Sequence, residues 1–244
     1  MGSFPDGVYR AQFPYYYRNP EGMPQEAALD YYLNSIKDVF EQCGPADSIA
    51  AIVVQPLQGE GGFIPAPIEW VKAVRKICDE NGILLVADEV QTGFCRTGRM
   101  FATQYWEEAG VQPDILATAK SIAAALKTIE IMERDDLAGR SCEIGEKVSK
   151  RFNEWKEKYP VIGDVRGLGG MIGLEFVKDQ KSKEPYPEFS AAVISGCAKK
   201  GLMIKGVGTY GNVIRFLAPL VMTDEQLEAG LDIYESVIKE LLEK

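Results

Sequence analysis

Three short polar runs carry the residue types that could do chemistry: Gln58-Gly59-Glu60-Gly61-Gly62, Asp88-Glu89-Val90-Gln91 and Lys120-Ser121. Histidine is absent from all 244 residues. That excludes Ser-His-Asp and Cys-His catalysis and argues against a zinc enzyme. Proton transfer near neutral pH then falls to Lys, Asp, Glu, Tyr, Cys or a cofactor. A carboxylate such as Asp88 can keep a ring nitrogen protonated. An amine such as Lys120 can capture an aldehyde and, once freed, move a proton between carbon atoms. Taken singly, Asp88 could be a helix cap, Lys120 a solvated side chain and Glu60 an ordinary loop acid. Their convergence is what matters, and that depends on the elements that carry them.

Each run follows a predicted strand. Ser48 to Val54 is a short apolar run, Ile83 to Ala87 a second and Asp114 to Thr118 a third. Apolar residues at helical spacing after Glu26, with Gly44 as a stop, predict a helix; Glu69 to Asn81 predicts another, closed by Gly82 at its C′ position. Residues 99–109 also read as helical. Strands that are apolar throughout and alternate with helices describe a parallel sheet covered on both faces. Right-handed crossovers place the carboxyl ends of its strands along one edge, where open α/β sheets bind ligands. Ahead of this unit, residues 1–25 read as an extended arm rich in Pro, Gly and aromatics.

The texture changes near Ala124, so residues 1–124 are expected to be part of a large α/β domain and residues 125–244 a smaller α+β domain. Residues 124–160 predict helix, Gly163 to Val177 two strands around Gly167-Leu168-Gly169-Gly170, and residues 187–200 a helix. Leu202 to Leu217 predicts two short strands. A long final helix opens on Thr223-Asp224-Glu225-Gln226, a capping box in which Gln226 reaches back to the cap.

Composition limits the partners. Hydrophobic residues make up 46% and charged residues 26%, the mixture of a soluble globular protein. The net charge of −9 argues against nucleic acid or an anionic membrane. No apolar run approaches a membrane span and no targeting segment opens the sequence. Five cysteines, odd in number and without CxxC spacing, point to reduced thiols in the cytoplasm. Cys95 has only Arg96 beside it to acidify it and reads as a plain thiol.

Ile83 to Gly98 (ILLVADEVQTGFCRTG) followed by Pro113 to Ser121 (PDILATAKS) resembles the signature of the class III, fold type I aminotransferases, which use pyridoxal 5'-phosphate. Gln58 to Gly62, Asp164 to Gly170 (DVRGLGG) and Asn212 to Leu220 (NVIRFLAPL) extend the resemblance. The arm from Gly7 to Arg18 is similar to the family's 4-aminobutyrate branch. The resemblance implies that Lys120 is catalytic and holds the cofactor, with Asp88 at the ring nitrogen and Gln91 at the phenolic oxygen. It implies that Arg215 binds the α-carboxylate of glutamate or 2-oxoglutarate. Glu60 would pair with that arginine when the substrate lacks such a carboxylate. Arg166 fits either a tight turn or a ligand contact.

The implied activity is transfer of an amino group from an ω-amino acid, 4-aminobutyrate-like, to 2-oxoglutarate by a homodimer. Ornithine-type aminotransferases, amino-acid racemases and a non-catalytic remnant are the alternatives. Two departures stand out: Gln55 where that branch usually has Glu, and Cys95 where it usually has Gly. The family's N-terminal segment, with its phosphate-binding turn and stacking aromatic, has no counterpart here. Its glycine-rich stretch and Gly-Gly-Thr motif are also missing after Ala123. An interruption of the chain between Ala123 and Ala124 is therefore expected.

Overall fold

The computed structural model describes residues 6–20, 22–118 and 122–243, with backbone alone for Gln25 and residues 122–126. In chain order, α1 (Gln25–Gln42) leads to β1 (Ala51–Val54), then to β2 (Leu57–Gln58) and β3 (Ile64–Pro65). There follow α2 (Ile68–Asn81), β4 (Leu84–Asp88), the short α3 (Gln104–Glu108) and β5 (Ile115–Ala117). The helices α4 (Ile122–Arg134) and α5 (Leu137–Lys158) precede β6 (Ile162–Leu168) and β7 (Met171–Phe176). Last come α6 (Pro187–Lys199), β8 (Lys205–Val207), β9 (Val213–Phe216) and α7 (Asp224–Leu242). No helix among the described residues is long and apolar enough to cross a membrane.

The chain forms two compact units, the first made of residues 1–54, 66–88 and 105–117. Its sheet has the order β1-β4-β5, all parallel. Leu85, Ala87 and Val54 are buried with Trp70, Val71, Val74 and Cys78 of α2 and Ala28, Tyr32 and Ile36 of α1. Gly82 ends α2 in the left-handed region at φ 67°, as a C′ glycine should. Asp114 secures the edge strand, accepting hydrogen bonds from Leu85 N and Arg75 Nη1, both at 2.7 Å. The N-terminal arm is held on the helices: Tyr32 Oη donates to Asn19 Oδ1 at 3.0 Å, and Phe13 packs on Trp70.

The opposite face of this sheet corrects the expectation of cover on both sides. Val53 is 66% exposed, and Leu84 and Ile115 are exposed beside it. Apolarity along a strand does not say what packs on each face; that needs the residues of other elements. The helix expected over 99–109 also shrinks to α3. Residues 89–103 form turns and bends instead, organised by Glu89, which is fully buried. It accepts from Thr103 N at 2.6 Å and from the Thr92 hydroxyl.

The second unit comprises residues 55–65, 89–104 and 118–244. Its antiparallel sheet has the order β6-β7-β9-β8, with the β2–β3 hairpin forming a second small sheet. The turn of this hairpin carries the polar run from Gly59 to Gly62. Buried residues of α5 (Ile144, Val148, Phe152, Trp155), α6 and α7 share one core with β6, β7 and β9. The capping box of α7 is present, Thr223 accepting from Gln226 N and donating its own backbone N–H to Gln226 Oε1. At Ala123–Ala124, where an interruption is expected, the backbone follows α4. Its sequence (IAAALKTIEIMER) is dominated by strong helix formers, so the joint propagates helix.

The α5–α7 contact is laced by ion pairs that centre on Glu235. Burial alone would raise its pKa, but Tyr159, Lys158 and Lys239 donate to the carboxylate and hold it down at about 2. A depressed carboxylate contributes stability that is complete above its unfolded value and drains as pH falls toward the folded one. Glu235→Gln should therefore flatten the loss of stability between pH 4.5 and about 2, read from urea unfolding at stepped pH. Parallel curves for the two proteins would remove Glu235 from the acid limb.

Arg166 of β6 has a structural task. Nη1 donates to Glu175 Oε2 at 2.7 Å and Asp164 Oδ2 at 2.9 Å, and Nε donates to Gly62 O at 2.9 Å. Asn212 Nδ2 completes the cluster, donating to Phe176 O at 2.6 Å and Glu175 Oε1 at 3.3 Å. Removing one partner of a buried pair strands the other. Arg166→Met should thus destabilise the chain by about 3–5 kcal/mol, measured by urea unfolding. Unchanged stability would show that the arginine serves a ligand alone.

Candidate functional site

Asp88 ends β4, the central strand of the first unit, in register with Ala117 of β5. Side chains alternate along a strand, so Asp88 shares a face with Leu84 and Val86, the face that is exposed. Its side chain is half-buried at the carboxyl end of the sheet. Lys120 lies three residues beyond Ala117 in sequence and falls outside the described residues. The expectation that Asp88 and Lys120 share one sheet edge therefore lies outside the described residues.

The other expected residues lie in the second unit. Gln91 folds over the hairpin turn: a Cβ built on Gly59 would stand 1.4 Å from Gln91 Oε1. Glycine at 59 is what leaves room for that amide. The turn itself is fixed by backbone bonds. Gly62 N and Phe63 N both donate to Gly59 O, at 3.1 and 3.3 Å, and Gly208 N donates to Glu60 O at 2.9 Å.

Below the turn lies a row of cations. Registered neighbours in a sheet share a face, and Arg166, Gly173, Arg215 and Lys205 are registered across β6, β7, β9 and β8 in that order. Gly173 leaves the space in which Gly62 O approaches, since a Cβ there would meet that oxygen at 3.2 Å. The turn crosses the row with two acceptors. Gly62 O takes Arg166, and Glu60 Oε1 sits 2.9 Å from Arg215 Nη1 and 3.8 Å from Lys205 Nζ. The ion pair expected between Glu60 and Arg215 forms.

Sequence reading missed three participants. Lys205 was no candidate because the register of β8 on β9 depends on the turn at 208–212. Glu175 looked like an ordinary strand residue, yet it is the buried anion beneath Arg166. Glu89 stood inside a quoted motif but drew no role. A carboxylate flanked by apolar strand residues on both sides was the available signal for Glu175.

Cys95 is buried, and burial pushes its thiol pKa up. The reading of a plain thiol agrees with that environment. Its φ of 68° and that of Phe94 at 61° are left-handed, a region that favours glycine. Cys95 thus holds a glycine-like backbone where glycine was expected.

Comparison with known proteins follows the same residues. The class III aminotransferase family model matches residues 1–126 and 121–238. A probable 4-aminobutyrate aminotransferase of Bacillus subtilis is 37% identical over 274 residues, covering 98% of this chain and 62% of its own length. An alanine/serine racemase of Pyrococcus horikoshii is 34% identical, covering 96% of this chain and 57% of its own. The crystal structure of an amine transaminase from an uncultivated Pseudomonas species, in its PLP-bound form, superimposes with a TM-score of 0.86 at 28% identity. It covers 98% of this chain and 63% of its own. The chain thus spans less than two thirds of the length of these relatives. The two family stretches overlap at 121–126, and a 274-residue match exceeds the 244 residues present, so the relative carries residues without a counterpart here. Both the matched motifs and the fold lead to one conclusion: this chain belongs to the class III aminotransferases.

Proposed function

We propose that the chain supplies ring, lysine and carboxylate contacts of a pyridoxal 5'-phosphate-dependent transaminase. It would act as a homodimer and move an amino group from a 4-aminobutyrate-like donor to 2-oxoglutarate. The observation that carries the reading is the Glu60–Arg215 ion pair. An arginine that must bind a dicarboxylate in one half-reaction is better matched in the other by a carboxylate that takes the vacant place and leaves again, and an exposed pair of this kind is weak enough to do so. A carboxylate on a turn is a mask that can leave.

Two of the expected residues carry groups whose chemistry suits the cofactor. Asp88 offers a carboxylate at the end of a central strand, and the Gln91 amide lies in the space that Gly59 leaves open. When bound, pyridoxal 5'-phosphate supplies an aldehyde for amines and a protonated ring that draws electrons from the reacting carbon. Asp88 would keep the proton on the ring nitrogen, and Gln91 would donate to the phenolic oxygen. Lys120 Nζ would carry the proton that leaves the substrate carbon, work that no histidine in this chain can do. Arg215 would orient the α-carboxylate of the acceptor through its planar fork.

A racemase reading has support from the Pyrococcus relative. It explains the Glu60–Arg215 pair less well, since racemisation presents the same carboxylate before and after the reaction and needs no removable mask.

Two tests follow. Borohydride reduction of the cofactor-treated chain should fix the cofactor's mass to the protein, and Lys120→Ala should abolish the increment by intact-mass measurement. Labelling that persists in the variant would show that another amine is the holder. In turnover assays, Arg215→Ala should raise KM for 2-oxoglutarate by about ten- to a hundredfold, the worth of charged hydrogen bonds, while leaving the ω-amino donor nearly unchanged. Equal losses for both substrates would remove the mask from the mechanism.

A further inference from the structure

Lys205 is the one cation of the row that the reading above leaves without a task. It stands directly opposite Arg215 on the neighbouring strand, and its Nζ lies 3.8 Å from the same Glu60 oxygen that Arg215 holds at 2.9 Å. The three side chains differ in freedom. Arg215 is 20% exposed, whereas Lys205 and Glu60 are 61% and 67% exposed. The guanidinium is therefore the fixed member, and the lysine and the carboxylate are the members able to turn.

We propose that Lys205 is a specificity-determining residue that receives Glu60 when a substrate carboxylate takes Arg215, tuning the site for dicarboxylates. The inference rests on the carboxylate-site reading of Arg215. Charge balance gives the reason. With Glu60 in place, Arg215 and Lys205 leave one positive charge, which an incoming carboxylate brings to zero. Without Lys205 the same step would go from zero to a net negative charge, with two carboxylates crowded round one arginine. Like charges that close repel, and the exposed setting screens the effect without abolishing it. A lysine suits the task because its flexible stem and compact ammonium can follow the carboxylate.

The test is calorimetric binding of glutarate, a dicarboxylate that cannot accept an amino group, to the intact chain and its variants. Lys205→Met should weaken glutarate about two- to fivefold, the range of an exposed ion pair. Lys205→Arg should restore most of the affinity, and the Lys205→Met deficit should shrink in about 0.5 M salt. Because Lys205 is exposed, neither variant disturbs a core. Native or tighter glutarate binding by Lys205→Met, with Arg215→Met defective, overturns this proposal and leaves the Arg215 reading standing. Native binding by Arg215→Met, or none by the unaltered chain, overturns both.

Discussion

Glu175 is a carboxylate with no access to water, in the middle of a strand whose residues are all buried. Such a group is tolerable only if cations and donors close round it. Arg166 and Asn212 do so, and the consequences spread outward. Once Arg166 is committed to Glu175 and Asp164, its Nε points a single donor at Gly62 O. That bond, with Gly208 N on Glu60 O, lays the β2–β3 turn across β7 and β9. Glycine at 173 and 62 lets the backbones meet there. The carboxylate of Glu60 arrives at Arg215 because of a buried pair whose centre is another residue entirely.

Much of this fold could be read from residue order. Gly82 closed α2, the Thr223–Gln226 box opened α7, and the glycine-rich turn at 169–170 joined β6 to β7, because each signal is local and acts on its own backbone. Local signals failed where the deciding partner was distant. The run Ile83 to Ala87 is apolar on both faces, and nothing within it tells that only the Leu85 and Ala87 side meets α2. Residues 99–109 carry helical spacing, yet Glu89 draws Thr103 N into its own hydrogen bond and holds the segment in turns. At Ala123 the family motif stops short, while helix propensity continues regardless.

The site was legible in a different way. Asp88, Gln91, Lys120, Glu60 and Arg215 are nominated through motif order, which records chemistry without recording geometry. The cation row was invisible to that reading. Arg166, Arg215 and Lys205 are separated in sequence by unrelated spacers, and their alignment follows from the registers of three strand pairs. Register depends on turn geometry and on which face is buried, so no single segment contains it. Lys205 therefore looked like any surface lysine, although its strand partner was the residue of greatest interest.

The same pair of groups, an arginine and a glutamate, appears twice in this small region with opposite uses, and burial decides between them. Arg166–Glu175 lies out of solvent, where separating the charges leaves an uncompensated ion and the contact acts as a clamp. Arg215–Glu60 is half in water. There the attraction is screened, a typical exposed pair is worth roughly 0–1 kcal/mol, and a competing carboxylate can displace Glu60 at small cost. The proposed alternation between two substrates would need a contact that weak, mounted on a support that does not move. The buried pair provides the support by fixing the backbone of the turn, and the exposed pair keeps the freedom at its tip.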